Sequence, residues 1–302
     1  MNKIISDNKL KEIAKIIKEK IFVARNNKVT VFLCGADITN KNTARSKMAT
    51  IFSHHPRYEL LYPEDLFDDL LVGQKKYSLL ALENILADNV DAIVLFPESP
   101  GSFAEIGAFS NNEKLVKKLI VLSDKKYKSD KSFIRYGPYR LIKNSSTGKV
   151  IDINYNHLSD SLESTKIYRK VNDFITKIKK ANPVDRDVAN ILEAENFILP
   201  CIYLFDKTNT QVLCKLISFA TGQEKILCDI ATSSSLGRLA SKSYISKSAN
   251  GFQITKEGVE YMRNTFKSSY LDKVRLELLN AQNRRNASVS CDRISGGNTL
   301  SK

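Results

Sequence analysis

Short apolar runs alternate with longer amphipathic stretches over the first part of the chain. Between residues 10 and 21 apolar residues recur at helical spacing with charged residues between them, which predicts an amphipathic helix. Short apolar runs rich in β-branched residues then predict four buried strands, separated by stretches with helical patterns. The predicted strands are 29–34, 58–62, 91–96 and 119–124, and the predicted helices are 43–53, 79–90 and one that starts near Ser102.

Strand and helix therefore alternate with short connections. This pattern predicts an α/β domain built on a doubly wound parallel sheet with right-handed crossovers. Ligands of such sheets bind at the carboxyl ends of the strands. We therefore expect the loops that follow Cys34, Tyr62 and Phe96 to line one crevice.

After about residue 184 helical stretches follow one another without strands between them. A helix capped by Ser then leads to two short strands around an Asn-Gly turn and to a helix capped by Thr255, an order that predicts a winged helix-turn-helix domain. Four segments are therefore predicted. They are an α/β domain at 1–145, a basic connector at 146–183, a helical winged-helix domain at 184–286 and a disordered tail at 287–302.

The composition excludes several classes of protein. Apolar residues make up 42% of the 302 residues and charged residues 26%, as in globular proteins, and no apolar run reaches the roughly eighteen residues of a membrane span. The N-terminus lacks the apolar block of a secretory signal. Five widely spaced cysteines without a CxxC pair, and only three histidines, argue against disulfides and structural zinc. We expect a cytoplasmic protein with reduced thiols and no bound cofactor.

The net charge of +14 is unevenly distributed along the chain. Residues 111–183 contain 17 Lys and Arg against 7 Asp and Glu, whereas residues 1–110 contain 14 of each kind. A polyanion is therefore expected to bind the middle segment, unless the lysines form an ordinary solvated surface. The candidate nucleic-acid-binding residues are Arg135, Arg140, Arg238 and Lys242.

The segment PESPGSFAEIGAF follows the third predicted strand and leads into a helix. Its spacing predicts Ser102 as the helix cap and Glu105 as the third helical residue, facing the crevice. The N–H groups of Gly101 and Ser102 would favour a phosphate, and Gly107 indicates close approach by a backbone or a ligand. Spacing alone leaves two interpretations open: Glu105 is a reactive carboxylate, or it forms an ordinary capping box with Ser102.

Further polar residues follow the first two predicted strands. Four acids lie within residues 64–69, where they suggest a metal site or, without an accompanying His or Cys, helix capping with contacts to ribose hydroxyls. We favour helix capping. The candidate substrate-binding residues are Gly35, Asp37, Glu64, Asp65, Ser99, Gly101 and Ser102.

The segment around Glu105 resembles the D-x-G-T-x-x-E-x-G motif of nucleoside 2-deoxyribosyltransferases. Glu105 and Gly107 match the motif directly, and Ser102 stands for its Thr. The resemblance implies that Glu105 attacks the anomeric carbon of the sugar and forms a covalent intermediate. It also implies that Glu83, on the helix before the third strand, handles a proton.

Longer segments, among them VTVFLCGAD, LFPESPGSFAEIGAFSNNE and NILEAENFILPCIYL, resemble the effector protein encoded beside a reverse transcriptase in type II retron defence systems of bacteria. This resemblance implies a toxin that is held in check by reverse transcriptase and its multicopy single-stranded DNA (msDNA) and released when a phage perturbs them. It implies cleavage of an N-glycosidic bond of a nucleotide, with NAD⁺ as the leading candidate. It also implies a homo-oligomer, because active sites of such enzymes are often completed across a subunit interface.

Two departures from the motif bear on the substrate. Ser99 replaces the Asp of the motif, and Phe32 lies where those enzymes often have a Tyr. Nicotinamide leaves NAD⁺ as a neutral base and needs no protonation, so the loss of an acid weighs towards hydrolysis of NAD⁺ to nicotinamide and ADP-ribose.

Other functions remain open at this point. The protein could be a deoxyribosyltransferase, an N-glycosidase for another nucleotide or for nucleic acid, a nucleotide-sensing module without turnover, or a DNA-binding regulator whose α/β domain only dimerises. Phosphoribohydrolases with a P-G-G-x-G-T-x-x-E loop share the Pro-Gly turn and the Glu, but this chain lacks two of that loop's glycines.

Overall fold

The chain divides into two compact units in a computed structural model. Residues 25–186 form an α/β unit, and residues 1–24 together with 187–302 form a helical unit. The described residues are 6–24, 28–64, 79–205, 208–249, 251–266, 269–276 and 280. Within these ranges no helix is long and apolar enough to cross a membrane. The predicted disordered tail at 287–302 lies outside the described residues.

The strands and helices are numbered in chain order. The strands are β1 (Val29–Cys34), β2 (Tyr58–Leu61), β3 (Ala92–Leu95), β4 (Leu119–Asp124), β5 (Lys149–Ile153), β6 (Ile245–Ser248) and β7 (Gly251–Ile254). The helices are α1 (Asp7–Ile16), α2 (Ala44–Ser53), α3 (Leu79–Asp88), α4 (Pro100–Ser110), α5 (Leu115–Lys118), α6 (Phe133–Tyr136), α7 (Pro138–Asn144), α8 (Ser161–Ala181), α9 (Glu195–Phe205), α10 (Thr210–Thr221), α11 (Lys225–Ser241) and α12 (Lys256–Thr265).

The sheet of the α/β unit consists of five parallel strands in the order β2, β1, β3, β4, β5. β1 lies between β2 and β3: Val29 pairs with Tyr58 of β2, and Val31 pairs with Ala92 of β3. Successive strands are added on opposite sides of the β1–β3 pair, so the topological switch point lies between these two strands. In doubly wound sheets ligands bind at the carboxyl ends of the strands at this point. The predicted α/β class with a parallel sheet is confirmed.

Apolar side chains cover both faces of the sheet. Val31 and Leu33 of β1 belong to a buried cluster that includes residues of α2 and α8. Phe32 points to the opposite face, because side chains alternate along a strand, and its ring lies 6.5 Å from that of Phe109 in α4. Helices therefore pack on both faces, which explains the nearly continuous apolar runs of the central strands.

The segment 146–183, predicted as a basic connector, belongs to the α/β unit. β5 pairs with β4 at the sheet edge, and α8 packs on the sheet through four apolar residues at helical spacing. β5 was missed because its burial is only partial and its sequence is flanked by polar residues. The buried residues of α8 are Ile167, Val171, Ile175 and Ile178.

The predicted N-terminal helix is present as α1 and a π-helical turn at Ile17–Ile21. It was assigned from its chain position to the α/β domain, but it packs against α10 of the helical unit. The Lys18 ammonium group donates a hydrogen bond to the Ala220 carbonyl oxygen (2.7 Å). Chain order alone therefore placed this helix in the wrong unit.

The helical unit contains the predicted order of helix, hairpin and helix. β6 and β7 pair antiparallel, and the Thr255 hydroxyl caps α12 by accepting a hydrogen bond from the Gly258 N–H group. The helix before the hairpin does not begin at a Ser cap as predicted. α11 begins at Lys225 and continues through Ser234 and Ser235, which are buried within it. No Gly or Pro lies between Lys225 and these serines to end the helix earlier.

Candidate active site

The turn between β3 and α4 differs from its prediction. Ser99, not Ser102, is the N-cap of α4, and Pro100 is the first helical residue. Ser99 and Ser102 form the capping box: the Ser99 hydroxyl accepts from the Ser102 N–H group, and the Ser102 hydroxyl accepts from the Ser99 N–H group. Proline is favoured at the first helical position because it lacks an N–H group that would need a partner there.

This shift moves Glu105 to the sixth helical position, beyond the first turn. The capping-box interpretation of Glu105 is therefore wrong, because Ser102 already fills that role. Glu105 is partly buried, and its Oε2 atom is buried without a hydrogen-bond partner among the described residues. A largely buried carboxyl group that stabilises no helix end indicates a functional group.

Glu105 belongs to a cluster of acidic residues around one arginine. Glu83 of α3 is 7% exposed and Arg45 of α2 is 1% exposed. Arg45 binds the Glu64 carboxylate through both terminal nitrogens, at 2.6 and 2.7 Å. It also donates to the carbonyl oxygens of Leu33 and Ala36. Arg45 thus joins the end of β1 to the start of the segment after β2.

The cluster changes the ionisation of its members. Burial, followed by the neighbouring charge of Glu83, raises the pKa of Glu105 from 4.5 to about 8, although Arg45 opposes this shift. Burial and the charge of Glu64 raise the pKa of Glu83 to about 7. Burial alone would also raise the pKa of Glu64, but the hydrogen bonds from Arg45 lower it overall. The site therefore combines one carboxyl group that stays ionised, Glu64, with two that exchange protons near neutral pH, Glu83 and Glu105.

Such a pair of carboxyl groups can perform nucleophilic and acid–base chemistry. A carboxylate held beneath a sugar ring stabilises an oxocarbenium-like transition state and can trap the anomeric carbon covalently. An acid–base group acts best when its pKa is near the working pH. Glu83, with a pKa of about 7, meets the second requirement, and Glu105 is the candidate for the first.

The loops after β1 and β3 are joined beside this cluster. The Ser99 hydroxyl donates to the Gly35 carbonyl oxygen (3.3 Å), and the Glu98 carboxylate accepts from the N–H groups of Ala44 and Arg45. A Cβ atom on Gly35 would lie 3.0 Å from Cβ of Arg45, which explains the glycine. The expected crevice loops after Cys34 and Phe96 therefore meet at the switch point.

The remaining predicted substrate residues differ in their settings. Asp37 is exposed and accepts hydrogen bonds from the Thr39 N–H and hydroxyl groups, which lower its pKa. Gly101 is exposed at the second position of α4, whereas Ser102 is buried and its hydroxyl is used within the turn. Asp65 lies outside the described residues. Among the described residues no group of His, Cys, Asp and Glu has the arrangement of a metal site.

Gly107 was expected to mark a close approach. A Cβ atom added to it would meet no described heavy atom within 4 Å. Instead the glycine lines a cavity of about 370 Å³ together with Asn84, Ala108, Asn111 and Asn112. Asp91 lies at the amino end of β3 and binds Thr30 and Arg186. Asp91 is therefore at the opposite end of the strands from Glu105.

The predicted nucleic-acid contacts are divided between the two units, with Arg135 and Arg140 in the α/β unit and Arg238 and Lys242 in the helical unit. Arg135 forms an ion pair with Asp152 (3.0 Å), and Arg140 is exposed. Arg238 of α11 and Lys242, the residue after this helix, both bind the buried Glu195 carboxylate, at 3.3 and 2.8 Å.

Sequence reasoning missed three residues of the site, namely Arg45, Glu98 and Cys34. Arg45 resembles the many other basic residues of a basic chain, and Glu98 lies just before the residues that match the motif. Cys34 was interpreted as an ordinary buried thiol. No sequence pattern distinguished them, because their roles depend on partners 12 to 71 positions away.

Comparisons with known proteins identify the family to which this chain is similar. Residues 41–247 match the family model described as STM3845 retron effector protein. The chain is 42% identical to a protein of Escherichia coli retron Ec86 that carries the provisional name ribosyltransferase/DNA-binding protein, over 97% of this chain and 98% of that protein. It is 30% identical to the protein of the same provisional name from E. coli retron Ec73, over 59% and 58% of the two chains.

Proposed function

This chain belongs to the family of STM3845 retron effector proteins, and we propose that its α/β unit cleaves an N-glycosidic bond of a nucleotide. The observation that carries the proposal is the pair of Glu105 and Glu83, two carboxyl groups with raised pKa values at the switch point of the sheet. The provisional ribosyltransferase names of the two relatives support the same class of chemistry. A nucleoside deoxyribosyltransferase-like fold is part of this proposal.

In the proposed reaction Glu105 attacks the anomeric carbon. A bond forms between that carbon and a carboxylate oxygen, while the bond to the base nitrogen breaks and its electron pair leaves with the base. Water then attacks the anomeric carbon, Glu83 accepts the proton of the water, and Glu105 leaves as a carboxylate. A pKa of about 7 suits Glu83 to this proton transfer.

We propose NAD⁺ as the substrate and nicotinamide and ADP-ribose as the products. The leaving nicotinamide needs no proton, which suits a site where Ser99 caps a helix at the position of the motif's Asp. A cationic nicotinamide ribosyl group next to Glu105 also favours the ionised carboxylate, because opposite charges lower the pKa of an acid. Exchange of bases between deoxynucleosides would instead require protonation of the leaving purine.

The proposed partners are the retron reverse transcriptase and its msDNA, which hold a cytoplasmic toxin in check. Their contacts would include the exposed Arg140, whereas Arg135 is a weaker candidate because it is paired with Asp152. A winged helix formed by α11, β6, β7 and α12 and a homo-oligomeric assembly complete the proposal. Because Arg238 and Lys242 are paired with Glu195, they are weaker candidates for phosphate contacts.

Release of nicotinamide by the purified full-length protein tests the reaction. We expect Glu105→Gln to reduce the rate by roughly a thousandfold or more, because loss of a nucleophile removes the covalent route. Glu113→Gln is the matched control, since Glu113 is exposed in the same unit. Equal release by the wild type and Glu105→Gln would reject the mechanism.

Growth of cells that express the protein without its partners tests the class of function. Toxicity that depends on Glu105 and not on Arg238 supports an enzyme. Toxicity that survives Glu105→Gln and is lost with Arg238→Gln would instead indicate a DNA-binding regulator. Nucleotide binding without turnover would indicate a sensing module.

A further inference from the structure

Cys34 occupies a place next to Glu105 that follows from the packing of α4 on β1. The rings of Phe32 in β1 and Phe109 in α4 are in contact, with centroids 6.5 Å apart. Cys34 lies two residues further along the strand, on the same face and about 7 Å away. Glu105 lies one helical turn before Phe109, about 6 Å away in the same direction, because α4 runs back from the carboxyl end of β3. Cys34 and Glu105 are therefore apposed.

The surroundings agree with this geometry. Cys34 is fully buried, and its thiol lies close enough to the Glu105 carboxyl group to lower that group's pKa. Burial, followed by the charge of Glu105, raises the pKa of Cys34 itself, so the thiol stays protonated and keeps a hydrogen that it can donate. The Oε2 atom of Glu105 accepts no hydrogen bond from the described residues.

We propose that Cys34 is a positioning residue whose thiol donates a hydrogen bond to the Glu105 carboxylate and holds it towards the sugar. The inference rests on the proposed role of Glu105 as nucleophile. The thiol forms no bond with the substrate and transfers no proton. It orients one carboxylate oxygen and stabilises the ionised form, while the other oxygen is left to attack.

Three other charged groups also shift the pKa of Glu105. Glu83 of α3 and Glu64 favour its protonated form, and Arg45 of α2 favours its ionised form. Arg45 is already held by Glu64 and by the carbonyl oxygens of Leu33 and Ala36. Among the groups that act on Glu105, the Cys34 thiol is therefore the neutral one that can donate a hydrogen bond to it.

The test compares Cys34→Ala and Cys34→Ser in the full-length protein by the pH dependence of nicotinamide release. Cys34→Ala removes the donor, so we expect the acidic limb of the profile to move to higher pH and the rate at pH 7 to fall by roughly tenfold. Cys34→Ser keeps a donor and is expected to stay within about threefold of the wild type. Cys201→Ala, which empties an equally buried cysteine site in the helical unit, is the control for packing loss.

A second measurement keeps the inference separate from the proposed reaction. Infrared difference spectra between wild type and Glu105→Gln follow the protonation of Glu105 directly, with or without turnover. We expect its titration to move to higher pH in Cys34→Ala and to return towards the wild-type value in Cys34→Ser. An unchanged titration in Cys34→Ala would overturn the role of Cys34. If the titration shifts but no nicotinamide is released, the hydrogen bond from Cys34 to Glu105 is supported and the proposed hydrolysis is rejected.

Discussion

At the scale of single residues, the proposed chemistry depends on two carboxyl groups, those of Glu105 and Glu83. Glu105 must be ionised to attack, yet burial and the charge of Glu83 favour its protonated form. Arg45 limits this effect but is itself shared with Glu64. With a pKa of about 8, Glu105 is therefore close to its ionisation point, and we expect a cationic substrate to shift it to the ionised form.

This balance predicts a pH-dependent cost to stability. The folded-state pKa of Glu105, about 8, lies above its ordinary value of 4.5. Its contribution to stability is therefore complete below about pH 4.5 and is lost as the pH rises through 8. Glu105→Gln, which resembles the neutral form, is expected to exceed the wild type in free energy of unfolding at pH 9 by on the order of 2 kcal/mol.

Urea unfolding of the α/β unit between pH 5 and pH 9 measures this effect. Glu113→Gln should follow the wild type at every pH, because Glu113 is exposed. A Glu105→Gln variant that loses stability in parallel with the wild type at high pH would show that Glu105 is not protonated at neutral pH.

At the scale of elements, the turn from β3 into α4 sets the position of the nucleophile. Pro100 and the capping box between Ser99 and Ser102 fix where the helix begins. Once the first turn is fixed in this way, Glu105 lies in the second turn and faces the end of β1. The same glutamate one turn earlier would only cap the helix.

The cap should therefore affect both stability and activity. We expect Ser99→Ala to lower the free energy of unfolding of the α/β unit by about 1 kcal/mol, because the Ser102 N–H group loses its acceptor. Urea unfolding measures the loss. Ser132→Ala is a matched control, since Ser132 is the N-cap of α6 but makes no side-chain cap hydrogen bond. Similar losses in the two variants would contradict the capping role.

At the scale of the whole molecule, the N-terminal helix and the C-terminal segment form one unit although the α/β unit separates them in sequence. The face of α1 that packs in this unit contains Leu10, Ile13 and Ala14, all at most 3% exposed. Lys215 of α10 and Asp7 of α1 form an ion pair at its surface (3.0 Å). The burial, more than the exposed ion pair, holds the two segments together.

Deletion of residues 1–24 tests this arrangement. We expect amide hydrogen exchange to accelerate at least tenfold in α10, because α1 no longer shields its apolar face from water. Exchange in β1 and β3 is expected to stay unchanged. Mass spectrometry of peptides from the full-length and shortened proteins measures both. Equal acceleration in the strands would contradict the division into two units.

Local patterns in the sequence were sufficient for much of the fold. Apolar runs with β-branched residues predicted β1 and β4 to the residue, and helical spacing predicted α1 and its buried positions. Each of these elements buries a whole face, so its pattern of apolar residues can be recognised without the rest of the chain. β5 and α8 were missed as a pair because an edge strand with partial burial has a weaker pattern.

The sequence by itself determined the α/β class, the helix–hairpin–helix order and the candidacy of Glu105, because each depends on residues close together in the chain. Only the tertiary structure decided that Ser99 caps α4, that Arg45 binds Glu64, that Cys34 lies beside Glu105 and that α1 packs with α10. These features depend on which distant segments meet. Burial and charge act through space, so the raised pKa values of Glu105 and Glu83 arise only when the chain is folded.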